Sequence, residues 1–496
     1  MPVLIALNIL AALVLGTYAL HEGLLLFLYA RQRLLRRQAN RNTNPGPVPA
    51  AATMSRTVTV QLPLYNERYV TERVIASACA MDYPRELLQI QVLDDSSDET
   101  ACIAQRAVDA ARARGHNICL IRRENREGYK AGALANGLTT ATGDFIAIFD
   151  ADFVPRRDFL TRLLADSDST FADPRVGFVQ TRWTYLNRDE RAVTRAQAIM
   201  LDMHFVIEQP ARNSVGLLMN FNGSGGIWRR TCIDDAGGWQ SDTLSEDLDL
   251  SYRAELRGWR GVYLEDEVAP SEIPRDTLAF KLQQARWARG SARCVRKLLP
   301  LIWRAPISPV RKLLGTLHIS GYFIQPMIVL LAITTPLLGL LNPVPESGPP
   351  IGPASLIGLL PLLSMLFAHQ SQGRSFFAFV RDLPAVITIG IGLSLSNSVA
   401  LLAGLFSKHT GEFARTPKAG ARAAQPKRWR YALRADWTTL VELACGAALL
   451  VAAFLMAGAG TWVAAAGAGL YGVSYALTAA SQVFSTNGFR TRLAAE

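Results

Sequence analysis

The chain has 496 residues, half of them hydrophobic, with a formal net charge of +11 and six cysteines. Such a length accommodates two or three domains. The apolar residues crowd into 3–30 and again beyond 311, whereas 55–300 has ordinary globular composition, which excludes a wholly soluble protein.

The surplus of basic residues does not point to nucleic acid. Arg31, Arg33, Arg36, Arg37 and Arg41 follow the first apolar run, and Arg422, Lys427, Arg428, Arg430 and Arg434 precede the last two. Basic residues at membrane ends mark the cytosolic side and also contact anionic lipid. Cys79, Cys102, Cys119, Cys232, Cys294 and Cys445 show no paired spacing. With five of the six in the soluble region, a reducing cytosol is expected, rather than a disulfide framework or a zinc site.

Residues 1–30 read as a first transmembrane helix, longer than the ~20 residues a bilayer core requires. A cleaved signal peptide is disfavoured by the missing basic n-region and the absence of a small-x-small site before Arg31. His21 and Glu22 lie inside this run, where polar groups face protein or water, or snorkel near an end. A basic linker, 31–54, follows.

Strands and helices then alternate. Strands are expected at 58–64, 89–93, 119–122 and 145–149, and helices at 72–80, 98–114 and 129–139. This order implies a mainly parallel α/β sheet over 55–272 with helices on both faces. In such sheets ligands bind at the carboxyl ends of strands. Tyr65-Asn66-Glu67, Asp94-Asp95 and Asp150-Ala151-Asp152 each follow a strand directly. Turns favour Asp and Asn anyway, but three such clusters on one edge exceed ordinary turn chemistry.

Beyond the sheet, 277–299 is a basic amphipathic helix within an interfacial segment, 273–310. Two transmembrane helices are expected in 311–371, joined by 342–350, which has no Lys or Arg and so reads as external. An apolar run at 383–406 is interrupted by Ser394, Ser396, Asn397 and Ser398. A further crossing there would place the basic 422–434 segment outside. Residues 372–406 are therefore expected to lie in the interface or re-enter, and 407–436 to be cytosolic. Two more spans fill 437–483, before a cytosolic tail at 484–496. The expectation is about five spans, with the N-terminus outside and the catalytic domain and C-terminus inside, in the cytoplasmic membrane.

The chemistry sits at the strand ends and beyond. Asp150 and Asp152 form a pair able to hold a hard divalent cation, Mg²⁺ or Mn²⁺, while leaving positions for phosphate oxygens. Asp94 and Asp95 suit a nucleoside, or equally a cap on the helix starting near Ser97. Glu246 and Asp247 suit a general base for a sugar hydroxyl, and also match the acidic start of a helix at 248–257. In Gln283-x-x-Arg286-Trp287, Arg286 can pair with phosphate oxygens and Trp287 can stack on a pyranose. A tryptophan anchor in the interface is the plainer reading.

Six stretches in order, 60–67 (V-Q-L-P-L-Y-N-E), 91–96 (Q-V-L-D-D-S), 128–134 (G-Y-K-A-G-A-L), 149–153 (F-D-A-D-F), 221–226 (F-N-G-S-G-G) and 283–287 (Q-Q-A-R-W), carry a resemblance. The chain resembles the processive family 2 membrane glycosyltransferases of the cellulose synthase superfamily, most nearly the cellulose-synthase-like A mannan and glucomannan synthases. That resemblance implies a GT-A (Rossmann-like) domain inserted between transmembrane helices, with amphipathic interface helices. Tyr65, Glu67, Asp95 and Lys130 would cradle the nucleotide, with Asp150 and Asp152 on metal and diphosphate. Asp247 would be the base, while Asn222, Gly223, Ser224 and Trp287 would meet the acceptor. Phe413, Thr416 and Lys418 resemble a gating-loop motif that closes over nucleotide, with Arg415 where valine is usual.

The implied activity is an inverting, processive β-hexosyltransferase that draws on UDP-glucose or GDP-mannose and extrudes a β-linked glucan or (gluco)mannan. The expected partners are a nucleotide-sugar donor, a growing polysaccharide and the lipid bilayer. No room is expected for an appended cyclic-dinucleotide domain, so such regulation would need a partner protein. A lipid glycosyltransferase, of ceramide or polyprenyl-phosphate type, is the competing enzyme. A transport or scaffold protein with a degenerate transferase domain is the competing non-enzyme, disfavoured by intact Asp95, Asp150, Asp152, Asp247 and Arg286.

Overall fold

The structure, a computed structural model, describes residues 1–42, 54–165, 170–341, 353–407 and 436–493. A seven-stranded sheet of order β3-β2-β1-β4-β6-β5-β7 organises the soluble part. Its strands are β1 (Val58–Leu64), β2 (Leu88–Asp94), β3 (Ile118–Arg122), β4 (Phe145–Ile148), β5 (Val176–Tyr185), β6 (Gly226–Arg229) and β7 (Arg260–Ser271). Alternation along β1 sends Val58, Val60 and Leu62 into one core layer, with Val74, Ile75 and Ala78 of helix Thr71–Cys79. Gln61 points to the other side, where its buried amide donates to Gln91 at 3.0 Å. Both faces of a parallel strand are covered by helices, so a near-continuous apolar run is what such a strand requires.

The expectation of a mainly parallel sheet needs one correction. β1, β2, β3 and β4 are parallel, as are β5 and β7, but β6 runs antiparallel to both of its neighbours. The reversal has a geometric cause. Gly223 (φ 79°) and Gly225 (φ 69°) turn the chain immediately before β6, in a left-handed region that favours glycine. The first residue of β6, Gly226, then pairs with Ile148, the last of β4. The 221–225 loop is thereby delivered to the carboxyl end of β4, beside Asp150.

Among the described residues, five helical stretches are long and apolar enough to cross a membrane: Pro2–Arg36, Gly321–Leu341, Phe376–Phe406, Trp437–Gly458 and Trp462–Val483. The number agrees with the expectation of about five. The second of the helices expected in 311–371 lies partly outside the described residues, where Leu356–Ser371 is a shorter apolar helix, and 383–406 falls within a stretch of span length. That stretch is two helices, Phe376–Gly392 and Ser394–Phe406. Near its start, Asp382 accepts from Arg195 of the soluble domain at 2.8 Å. Just past its end, the Ser407 carbonyl accepts from Arg293 at 3.4 Å. At the break, Ser394 and Tyr475 of the last span share a hydrogen bond of 2.8 Å.

Helix Thr277–Arg304 joins the two halves of the molecule. Asp276 caps it by accepting from the Ala279 N–H at 2.8 Å, satisfying one of the unpaired amides at the helix start. Lys281, only 2% exposed, places its ammonium 3.0 Å from Glu442, 3.2 Å from Thr439 and 3.1 Å from Gln482. Those acceptors come from both of the last two spans, so one cation pins the interfacial helix to the pair. Replacing Lys281 by Met leaves Glu442 buried without its cation, a loss of about 3 kcal/mol. Thermal unfolding in detergent should show that loss for Lys281→Met, and Lys281→Met/Glu442→Leu should recover more than half of it. A double variant no more stable than the single one would remove the pair from the account.

Candidate active site

All three acidic or polar clusters meet at the carboxyl edge of the sheet, as their positions after β1, β2 and β4 require. At the end of β2, Asp95 is gripped by Arg123, whose Nε donates to Oδ1 at 3.0 Å while Nη2 contacts Oδ2. Arg123 also donates to the carbonyls of Glu127 (2.7 Å) and Tyr129 (3.0 Å), tying the 123–129 loop to the end of β2. The Arg126 guanidinium lies 3.2 Å from the centre of the Tyr65 ring and 4.9 Å from that of Tyr129, a cation–π sandwich. Glu67 begins the turn into helix Thr71–Cys79, its carbonyl accepting from the amides of Val70 and Thr71. Asp94 is placed differently. It is buried and accepts from the Ser96 amide at 3.1 Å, and burial raises its carboxyl above the usual range. It holds the 94–96 turn and caps no helix, since the helix that follows begins at Thr100.

Lys130 stands at the centre of the chemistry. Its ammonium lies 2.6 Å from Asp150 and 3.6 Å from Glu246, and donates to the Gly223 carbonyl at 2.8 Å. Burial alone would lower the lysine, but Asp150 and Glu246 outweigh it and hold it above its ordinary value. Glu246 and Asp247 open helix Glu246–Leu256, where unpaired amides favour acidic side chains. Asp247 Oδ1 accepts from the Leu248 amide at 2.8 Å. Burial first, then the charge of Glu246, push the Asp247 carboxyl up to about 7, against the pull of Lys130. A Cβ on Gly223 would stand 3.0 Å from Asp247 Oδ2 and 3.3 Å from Lys130 Nζ, so a side chain at 223 would crowd that oxygen.

Ser224 is buried and its Oγ accepts from the Asp150 amide at 2.9 Å, which fixes the strand-end turn. Asn222 hydrogen-bonds His204 at 3.0 Å and accepts from Gln209 at 2.8 Å. His204 in turn meets Glu208 at 2.7 Å, on the π-helical turn Met203–Glu208. Burial would raise Glu208, but His318, His204 and Arg212 together hold it well below the usual carboxylate range. From the interfacial helix, Arg286 lies close enough to Asp150, Glu246, Asp152 and Glu67 to feel their charge, although burial lowers it overall. Gln283 is buried with its Oε1 unmatched, and Trp287 is half-buried one position beyond Arg286.

Asp150 and Asp152 remain the pair available to a metal. Asp150 is 34% exposed, and no cluster of three or more potential ligands occurs among the described residues. Two carboxylates suit a hard cation that completes its shell with substrate phosphates and water. Phe413, Thr416 and Lys418 lie outside the described residues. The sequence pattern did not single out Arg123, Arg126, His204 or Gln209. The R-R-E-N-R-E-G run before Tyr129 carried a signal for the two arginines; a π-helical turn has no comparable signature.

Residues 55–290 match the model described as "Glycosyltransferase like family 2". Glucomannan 4-beta-mannosyltransferase 2 of Arabidopsis thaliana is 44% identical over 253 residues, which is 50% of this chain and 46% of that protein. Glucomannan 4-beta-mannosyltransferase 1 of Oryza sativa subsp. japonica is 42% identical over 256 residues, covering 50% and 48%. The chain thus spans about half the length of the curated relatives it matches. Among solved structures, a mannosyltransferase from Pyrobaculum calidifontis in complex with GDP-Man and Mn2+ superimposes with a TM-score of 0.53 at 22% identity. It covers 81% of this chain and 100% of its own, so the fold is shared. Residues 55–290 are therefore a family 2 glycosyltransferase domain with the GT-A fold, set between helices of membrane-span length.

Proposed function

We propose that this chain is an inverting β-hexosyltransferase that builds a β-mannan or glucomannan from GDP-mannose and passes the product through its own spans. The observation that carries the reading is Lys130 between Asp150 and Glu246, with Asp247 beside Gly223. The matched glucomannan 4-beta-mannosyltransferases favour mannose, with UDP-glucose as the alternative donor.

In this mechanism the acceptor hydroxyl gives its proton to Asp247 as its oxygen attacks C1 of the donor sugar. The bond from C1 to the diphosphate oxygen breaks on the opposite face, so configuration inverts. Lys130 and Arg286 hold the diphosphate by charge, and Asp95 and Tyr65 hold the nucleoside. A divalent cation, Mg²⁺ or Mn²⁺, bound by Asp150 and Asp152, supplies charge neutralisation for the departing diphosphate. Asn222, Gly223, Ser224 and Trp287 orient the acceptor.

We also propose that 376–406 re-enters rather than crosses, because residues near both of its ends bond the catalytic side through Arg195 and Arg293. A cysteine replacing Gln425 should then be labelled from the same side as the exposed Cys102; labelling from the opposite side would overturn this topology.

Asp247→Asn should lower turnover by about 10²–10⁴ while leaving GDP-mannose binding intact by calorimetry. Full activity would end the base assignment. Asp247 retains its proton up to about pH 7, so kcat/KM should fall as pH drops below that value. Glu246→Gln removes the charge that raises Asp247 and should move this acid limb to lower pH. The native state also binds this proton more tightly than the unfolded chain, whose value is 3.8, so stability from Asp247 falls as pH rises from there to about 7.

Membrane vesicles should convert labelled GDP-mannose into a polymer that β-mannanase degrades. UDP-glucose incorporation without mannose would replace the donor, and a lipid-soluble product with a single sugar would replace the polymerase by a lipid glycosyltransferase.

A further inference from the structure

A cavity of about 840 Å³ lies where helix Pro2–Asn42 leaves its apolar stretch and helix Leu360–Ser371 ends. It shares no side chain with the catalytic cleft. Arg33 and Arg36 enter from the first helix, Arg182 from β5, and Arg374 from just beyond Ser371. Glu265 and Asp266 come from a bulge in β7, between Leu264 opposite Thr181 and Val268 opposite Arg182. Four guanidinium groups thus surround two carboxylates. One of the carboxylates is already engaged: Tyr29 donates to Glu265 at 3.0 Å, and Arg36 lies 3.6 Å from it. Burial raises the Glu265 carboxyl above its usual range. Arg33 has no carboxylate within ion-pair distance among the described residues.

The guanidinium groups are held apart by their own bonds. Arg182 donates to the Glu265 carbonyl at 2.9 Å and to Gln372 at 3.2 Å, and Arg374 pairs with Asp189 at 3.1 Å. They are pre-positioned around open volume, and like charges in one cavity favour an anion. Towards the membrane the second helix is apolar on the side that ends at Ser371: Phe367, 42% exposed, lies one turn before Ser371, and Leu363, 48% exposed, one turn before that. An anion with hydrocarbon attached matches both halves of this surface, whereas a free anion matches only the first.

We propose that this cavity binds the phosphate headgroup of an anionic membrane lipid, with its chains along Leu363 and Phe367. The site is independent of the transferase reading, so either proposal can fail alone.

The test uses the full chain in nanodiscs of phosphatidylcholine with and without phosphatidylglycerol, with retained lipid counted by native mass spectrometry. Wild type should retain phosphatidylglycerol selectively. Each arginine removed should weaken retention about fivefold, so Arg33→Gln/Arg374→Gln should lose it almost entirely. The exposed control Arg156→Gln should behave as wild type, and Arg33→Lys should restore most retention. An unchanged melting temperature for the double variant separates loss of the site from loss of the fold; if the double variant melts lower, each single variant is scored in its place. Equal retention of both lipids by wild type, or undiminished retention by the charge-removed variants, would overturn the proposal. So would glycerol 3-phosphate binding as tightly as the lipid, which would make the site one for a soluble anion.

Discussion

One ammonium group holds the catalytic cleft together. Lys130 reaches from the start of its helix to Asp150 after β4, to Glu246 at the start of another helix, and to the carbonyl of Gly223. Without that cation, Asp150, Glu246 and Asp247 would share a low-dielectric space as like charges, which buried carboxylates resist by taking up protons. Asp247 already lies partway along that course. The lysine therefore sets the geometry of the edge and tempers the rise that burial and Glu246 impose on Asp247, beside the 221–225 loop.

The second constraint is helix Thr277–Arg304, which serves the cleft and the membrane at once. Lys281 fastens it to the last two spans, and five residues later Arg286 senses the acids of the cleft. Gly290 then packs so closely on Ser245 that a side chain there would collide with it. Ser245 is the cap residue of the helix carrying Glu246 and Asp247. A shift of the last two spans would therefore be felt at the base through one rigid helix, with no loop between to absorb it.

Much of this was legible before folding was considered. β1 begins and ends at the expected residues, and β2, β3 and β4 lie within one residue of expectation at each end. Their buried apolar runs, bounded by polar turn residues, admit few other assignments. β5 was not legible in the same way. Gln180 and Thr181 lie fully buried within it, their polar groups satisfied by the carbonyls of the 221–225 loop. Polarity that reads as exposure along the chain here marks a partner distant in sequence. The reversal of β6 and the π-helical turn that presents His204 to Asn222 were hidden for the same reason, since each depends on a remote neighbour.

By itself the sequence determined the α/β domain, its strand-end acids, and the helices able to enter a membrane, because periodicity and local turn chemistry encode those features residue by residue; the GT-A type followed from the resemblance of its six motifs. Only the tertiary structure decided that Lys130 sits among acids from two other elements. It alone separated Asp94, which holds a turn, from Asp95, which is gripped by Arg123. It also assembled a basic cavity from four distant segments. These depend on which elements pack together, and packing between distant segments leaves no local pattern in the chain.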